Sequence, residues 1–345
     1  MAGQKLKIYI GFITYGEATA KYLPYFLPSL TGQTYKDYKI LAVDNSETRE
    51  NENAIYLKDN FPEIELKWAG RNLGFAKAYN LMIGEAASAG AEYFLALNPD
   101  MILEPKMVER LVEAMKKSEN IAAIAPKILK WDFSNNEKTE RLDSLGLAVN
   151  QEHRFYDAHQ GEIDQPDLTG AKEIFGFTGA AVLLNLKALD DVAFDNGKYK
   201  EYFDELMFMY KEDCDLSYRL RLAGWKILLE PSALAYHDRR TAAKGESNLA
   251  IALNRRAKSR TIKQWSFLNQ WILLLKLKNL PFSWRVKSAT PWYQFKSLAF
   301  VLLFEPYLLK QLIKLWQLNQ AIGLRRKQLK IRVNLDQIEK FMYEN

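Results

Sequence analysis

Three stretches of the chain hold carboxylates at positions where they could do chemistry. "LNPD" places Asp100 directly after the apolar run Tyr93 to Leu97, and "VDNS" places Asp44 and Asn45 after Tyr38 to Val43. "KEDCDL" crowds Glu212, Asp213 and Asp215 together. A carboxylate at a sheet's rim can hold a hard divalent cation that takes its other ligands from phosphate oxygens. A second strand-end acid could read a base, and a later carboxylate could take a proton from a hydroxyl. Each stretch also has a plainer reading. Asn, Pro and Asp are ordinary turn residues, while acids in a first helical turn offset the helix dipole, here with Asp215 four residues before Arg219. Neither G-x-G-x-x-G nor G-x-x-x-x-G-K-[ST] occurs, so a diphosphate would need a cation rather than a glycine-rich phosphate loop.

The elements that must position these residues follow from hydrophobic pattern. Tyr93 to Leu97 lacks polar alternation and reads as a parallel strand buried on both faces, ended by Pro99. Further strands are expected at Lys7 to Thr14, Tyr38 to Val43, Glu63 to Trp68, "IAAIAPKIL", within Lys172 to Asn185, and at Lys226 to Leu229. Helices are expected over Ala18 to Leu30, irregular at Pro24 and Pro28, and over Asn51 to Asn60, Asn72 to Gly90 and Glu104 to Lys117. A last one spans Glu212 to Ala223, with Leu216 and Leu220 facing the sheet. Strand and helix alternate, which predicts an α/β fold: a doubly wound, mostly parallel sheet with right-handed crossovers and helices on both faces. Residues 132 to 172 break the rhythm and should form a looser insertion or antiparallel strands over the site. His153 and His159 fall there and are expected at the surface. His237, near a strand end, has by itself a structural reading.

Composition bounds the class. At 345 residues, 48% hydrophobic and 26% charged, the chain can build a catalytic domain plus an extension and is not largely disordered. Its one cysteine, Cys214, excludes an internal disulfide and suits a reducing compartment. The expectation is a cytoplasmic protein, since no apolar stretch reaches the roughly 18 residues of a spanning helix. Charge divides the chain. Residues 1–254 balance at −8, whereas residues 255–330 carry 16 basic residues against Glu305 alone. Domains are therefore expected at 1–254 and 255–345, the second basic and mainly helical. Trp265, Trp271, Trp284, Trp292 and Trp316 stand among Leu, Phe and Lys there, a composition that suits an anionic membrane interface. A helical extension packed on the first domain is the alternative. Nucleic acid is disfavoured, because Leu-rich runs would waste apolar surface on a phosphate backbone.

With these residues in view the sequence resembles the family 2 glycosyltransferases of GT-A fold, in particular their rhamnosyltransferase-like branch. The resemblance covers about residues 6–240. It rests on "VDNS", "NLGFAKAYN" (72–80), "LNPD", "GFTGAAVLL" (176–184) and "FDELMFMYKEDCDLSYRLRLAGW" (203–225), in that order. It implies that Thr14, Asp44 and Asn45 bind the nucleotide, and that Asn72, Gly74, Asn80 and Asn98 help to hold the donor sugar nucleotide. It further implies that Asp100 is the surviving metal ligand of a DXD motif, that His237 closes the donor site as a further ligand, and that Asp213 is the catalytic base, with Glu212 and Gly179 on the acceptor side. Asn98 stands where DXD has its first acid, which leaves the metal one charged ligand fewer. The implied activity is inverting transfer of rhamnose or another hexose from a dTDP- or UDP-linked donor to a lipid-linked or cell-surface glycan, assisted by Mg2+ or Mn2+. The implied location is the inner face of the cell membrane, held peripherally. Two rivals are a sugar nucleotidyltransferase, which would show a basic glycine-rich loop where "TYGEATAKY" stands, and a degenerate membrane scaffold, which intact Asp100 and Asp213 argue against.

Overall fold

The computed structural model describes residues 8–165, 168–239 and 259–343. The expected boundary between residues 254 and 255 lies outside them. The chain begins β1 (Ile8–Thr14), α1 (Gly16–Ala20), α2 (Leu23–Thr31), β2 (Tyr38–Asp44), α3 (Glu52–Asn60), β3 (Glu65–Trp68), α4 (Gly74–Ser88) and β4 (Tyr93–Leu97). It continues through β5 (Met101–Leu103), α5 (Met107–Met115), β6 (Ile121–Asp132), β7 (Glu137–Ser144), β8 (Leu147–Val149), β9 (Phe155–Asp157) and β10 (Lys172–Glu173). Then come β11 (Ala181–Asn185), α6 (Leu186–Val192), β12 (Phe194–Asp195), β13 (Lys200–Glu201), α7 (Glu212–Leu222) and β14 (Lys226–His237). Among the described residues five α-helices follow: α8 (Arg260–Leu277), α9 (Trp284–Phe304), α10 (Lys310–Gln317), α11 (Asn319–Lys327) and α12 (Asp336–Tyr343).

One ten-stranded sheet runs β10-β14-β6-β11-β4-β1-β2-β3, with β5 added to β14 and β7 to β6. β3, β2, β1 and β4 are mutually parallel, β11 lies antiparallel between β4 and β6, and β14 is parallel to β6. β4 is central, as its unbroken apolar run requires: Phe94, Leu95, Ala96 and Leu97 are fully buried. Successive residues point to opposite faces. Ile8, Ile10, Phe12, Leu95 and Leu97 join α2 and α5 in one core, while Tyr9, Phe94 and Ala96 join α4, α6 and α7 in the other. Leu216 and Leu220 lie in the second core, as their spacing predicts. Each such buried Leu or Phe contributes about 1.5–3 kcal/mol.

Three local features differ from the sequence expectation. The helix expected over Ala18 to Leu30 is two helices, with Pro24 in the first turn of α2, where its missing N–H has no helical partner to lose. α5 starts at Met107, after the turn Glu104 to Lys106. His153 is not a surface residue: it is 3% exposed, stacks on Tyr218, and places Nδ1 2.9 Å from Thr290 Oγ1. Burial pushes its pKa down to about 4. His159 is exposed, as expected. Residues 137–173 supply the antiparallel strands β7 to β10.

The extension packs on the sheet domain. Leu268, Ile272, Leu273 and Leu277 of α8, with Ile338 and Met342 of α12, share a third core with Cys214, Tyr218 and Leu222 of α7. Charges accompany it. Lys276 pairs with Asp204 at 2.5 Å and also with Asp215, and Arg325 pairs with Glu201 at 2.6 Å, all buried.

Candidate active site

Strand register brings the candidate residues to the carboxyl ends of the sheet. Thr14 is registered against Asp44 where β1 and β2 end, and its hydroxyl donates to Asp44 Oδ1 at 3.1 Å. That oxygen also accepts from Ser46 N (3.1 Å) and Ser46 Oγ (2.6 Å), while Oδ2 accepts from Asn51 at 2.6 Å. Asp44 is wholly buried and anchors the rim. Asn45 donates to Gly74 O at 3.1 Å and accepts from Leu73 N at 3.3 Å, so it ties the end of β2 to the start of α4. Asn72 Oδ1 accepts from Gly74 N at 2.8 Å. Gly74 has φ +76°, and a Cβ there would lie 2.3 Å from Phe208 O. Only glycine fits that approach. Asn80 sits deeper, its amide committed to Tyr202 N, Phe203 N, Phe203 O and Glu205.

The end of β4 carries the second group. Leu97 is registered against Ala181, and Asn98 N donates to Ala180 O at 2.8 Å, which brings Gly179 beside the "LNPD" turn. Gly179 N in turn donates to Asp213 Oδ2 at 3.0 Å, and Asp213 Oδ1 accepts from its own following amide, Cys214 N, at 2.8 Å. Asp213 is half-buried, and among the described residues it enters no ion pair. Its two acidic neighbours are different. Asp215 is buried against Arg219 (2.9 Å) and Lys276, so dipole and ion-pair compensation accounts for it. Glu212 is buried, and among the described residues its Oε2 has no hydrogen-bond partner. Burial first, then the charge of Asp213, pushes its pKa well above the ordinary carboxylate range, which favours the neutral acid.

The third group forms because β5 pairs antiparallel with β14, setting Met101 against His237. Asp100 therefore lies next to that histidine, with Oδ1 3.2 Å from Nε2 and, among the described residues, without a hydrogen bond. His237 Nδ1 lies 2.9 Å from Asp143 Oδ2. Burial alone would lower the His237 pKa, but the charge of Asp100, with the bond to Asp143 and its charge, outweighs it and raises it to about 10. This donor set fits a divalent cation in part. A histidine backed by a carboxylate and facing a second, unbonded carboxylate oxygen is a common ligand arrangement, and a 3.2 Å separation matches adjacent ligands held at about 2.1 Å. No cluster of three or more such side chains occurs among the described residues, so phosphate oxygens and water would complete the shell.

Sequence reasoning missed the residues behind His237. Arg239 Nε lies 3.0 Å from Asp143 Oδ1, its Nη1 pairs with Asp157, and its Nη2 reaches Thr178 Oγ1 at 3.4 Å, one residue from Gly179. Arg239 therefore joins the Asp100–His237 corner to the Asp213 corner. The run "YHDRR" was its signal, but Asp143 and Asp157 lie in the irregular insertion, where no periodicity points inward.

The chain is similar to known proteins in sequence and in fold. The profile described as Glycosyl transferase family 2 matches residues 9–189. The N-acetylglucosaminyl-diphospho-decaprenol L-rhamnosyltransferase of Mycobacterium tuberculosis, from strains CDC 1551 / Oshkosh and ATCC 25618 / H37Rv, is 27% identical over 234 residues, covering 63% of this chain and 72% of the relative. A crystal structure of GalNAc-T7 with UDP, GalNAc and Mn2+ superposes with a TM-score of 0.54 at 14% identity, over 87% of this chain. The chain spans 57% of that protein, and the likeness is one of fold.

Proposed function

This chain belongs to glycosyl transferase family 2 and is a glycosyltransferase of GT-A fold, and we propose that it is an inverting hexosyltransferase. It moves rhamnose or another hexose from a dTDP- or UDP-linked donor to a hydroxyl of a lipid-linked or cell-surface glycan. The observation that carries this reading is Asp213, a carboxylate paired with no cation among the described residues and oriented by Gly179 N at 3.0 Å. Asp213 takes the proton of the acceptor hydroxyl as its oxygen attacks the anomeric carbon. One displacement inverts the centre; a double displacement would need a nucleophile on the sugar's other face. Thr14, Asp44 and Asn45, with Asn72, Gly74 and Asn98, form the nucleotide side. Asn80 contributes by fixing Tyr202 and Phe203. Asp100 and His237 would hold Mg2+ or Mn2+, which when bound neutralises charge on the leaving diphosphate. Arg239 places a fixed positive charge beside them. Glu212 and Gly179 face the acceptor.

The decaprenol-linked substrate in the mycobacterial relative's name supports a lipid-linked acceptor for this chain, and the extension offers a surface that suits one. Residues 1–254 are read as the catalytic domain and 255–345 as its extension. Among the described residues no helix is long and apolar enough to cross a membrane. On α9, Trp284, Trp292, Phe295 and Leu303 project outward, with Trp284 74% exposed, and Ile313 and Trp316 do so on α10. Five basic residues, Arg285, Lys287, Lys296, Lys310 and Lys314, accompany them; the one acid in that span, Glu305, is buried and paired with Lys263 at 3.0 Å. Aromatic rings among cations suit the headgroup level of an anionic leaflet. The enzyme is thus cytoplasmic and peripheral on the inner face of the cell membrane.

The donor assignment is tested by thermal shift with UDP-, dTDP- and GDP-sugars, with and without Mn2+, on the wild type and on Asp100→Ala. One UDP- or dTDP-sugar should stabilise the wild type in a Mn2+-dependent way, by about 2.7 kcal/mol at a hundredfold excess over Kd. Asp100→Ala should lose the Mn2+-dependent part of the shift, measured against its own melting temperature without ligand. Equal shifts in both proteins, or none with any sugar nucleotide, would contradict the assignment.

A further inference from the structure

The stretch that delivers Asp213 is the most strained part of the site. Tyr210 and Lys211 are consecutive non-glycine residues with φ of +72° and +70°. Such backbone is strained for residues with a Cβ and persists where its surroundings over-determine it. α7 supplies little help from its own start, since Lys211 at its N-cap makes no capping hydrogen bond through its side chain. The surroundings come from α8, beyond the matched region 9–189. Trp265, Asn269, Ile272 and Lys276 recur at helical spacing and lie on one face. The Trp265 ring packs 4.9 Å from Phe208 and 6.5 Å from Tyr210. Asn269, 1% exposed, donates to Met209 O at 2.8 Å and Tyr210 O at 2.7 Å. Lys276 grips the chain on both sides of the turn, at Asp204 before it and Asp215 after it.

Packing alone does not explain these residue types. A leucine at 269 would bury more apolar surface, and a buried lysine carries a desolvation cost that apolar residues avoid. What the amide does is satisfy two half-buried carbonyls that the left-handed turn aims in one direction, toward one side-chain nitrogen. We propose that α8 is a splint for the catalytic loop: Asn269 and Lys276 are positioning residues that fix the 209–211 turn and, through it, the aim of Asp213. The inference rests on Asp213 being the base. It makes the extension part of the catalytic apparatus, in addition to any membrane role.

The test uses the full chain with Asn269→Leu and Asn269→Gln, read by amide hydrogen exchange over residues 204–213, by dTDP affinity and by dTDP-rhamnose turnover. In Asn269→Leu the loop should exchange at least about tenfold faster while the amides of β4 do not change. dTDP affinity should hold, and kcat should fall by about 10²-fold, the usual cost of a small misplacement. Asn269→Gln keeps a two-hydrogen donor and should recover part of both losses. Unchanged loop protection in Asn269→Leu overturns the proposal, as does wild-type kcat with a loosened loop. Should Asn269→Leu not fold, Asn269→Ser, which keeps one donor, decides by the same readings. If the wild type does not turn over dTDP-rhamnose, the donor reading fails, and the exchange data alone decide the splint.

Discussion

At the scale of residues, one acid cluster separates into three roles by environment. Asp215 is spent on Arg219 and Lys276, Glu212 is driven toward its neutral form by burial and by Asp213, and Asp213, half-buried, enters no ion pair among the described residues. An acid held toward its neutral form loses less on replacement by its amide than a proton acceptor does. Glu212→Gln and Asp213→Asn should therefore differ sharply. The sequence placed all three acids in the first turn and offered the Asp215 to Arg219 pair, but their spacing could not rank them; Asp213 was singled out as the base by the family resemblance alone. The ranking depends on Lys276, 61 residues beyond Asp215, and on a strand-end amide at Gly179. Asp100 was legible because Pro99 marks a strand end; its contact with His237 was not, because that follows from β5 pairing with β14. The burial of His153 escaped notice for a similar reason, since its partners Tyr218, Phe282 and Thr290 are all remote.

At the scale of elements, the sheet was legible because a β4 buried on both faces can have no polar alternation, and because helices and strands alternate on either side of it. What the pattern could not supply was the antiparallel β11 at the centre, since a buried apolar strand reads the same in either direction. The joint between α7 and α8 was also hidden, being made of buried ions. Burial would raise the Asp204 pKa, but the charges of Lys276 and Arg325 outweigh it and hold it below its ordinary value. A carboxylate whose folded pKa is depressed stabilises the fold at pH above its unfolded value of about 3.9, and that contribution is lost as pH falls through the folded value. The full chain should thus keep this contribution at neutral pH and lose it below about pH 4. Asp204→Asn should be destabilised at pH 7 and show a shallower fall between about pH 4 and pH 2. Denaturation followed across that range checks this, and parallel curves for the two proteins would contradict it.

At the scale of the molecule, the extension divides its labour. α8 and α12 face inward and share a core with α7, while α9 and α10 turn Trp284, Trp292 and Trp316 outward. Composition alone showed the basic charge and the tryptophans; it could not say that Trp265 belongs to the inner set, against Phe208. Because α8 completes that core, membrane binding is best tested by substitution on the outer face. The full chain should co-sediment with anionic vesicles, at roughly 1 kcal/mol per basic residue that reaches the surface. Part of the binding should survive high salt, and that part should vanish when Trp284, Trp292 and Leu303 are changed together to Ser. Absence of binding to anionic vesicles at low salt, or a triple variant that binds like the wild type, would contradict the membrane reading.

The measurement that bears most directly on the central claim is sugar transfer by Asp213→Asn and Glu212→Gln, side by side with donor affinity. The account predicts that Asp213→Asn binds donor normally and loses about 10²- to 10⁴-fold in turnover, while Glu212→Gln stays within about tenfold of the wild type. Near-normal turnover by a folded Asp213→Asn would contradict it.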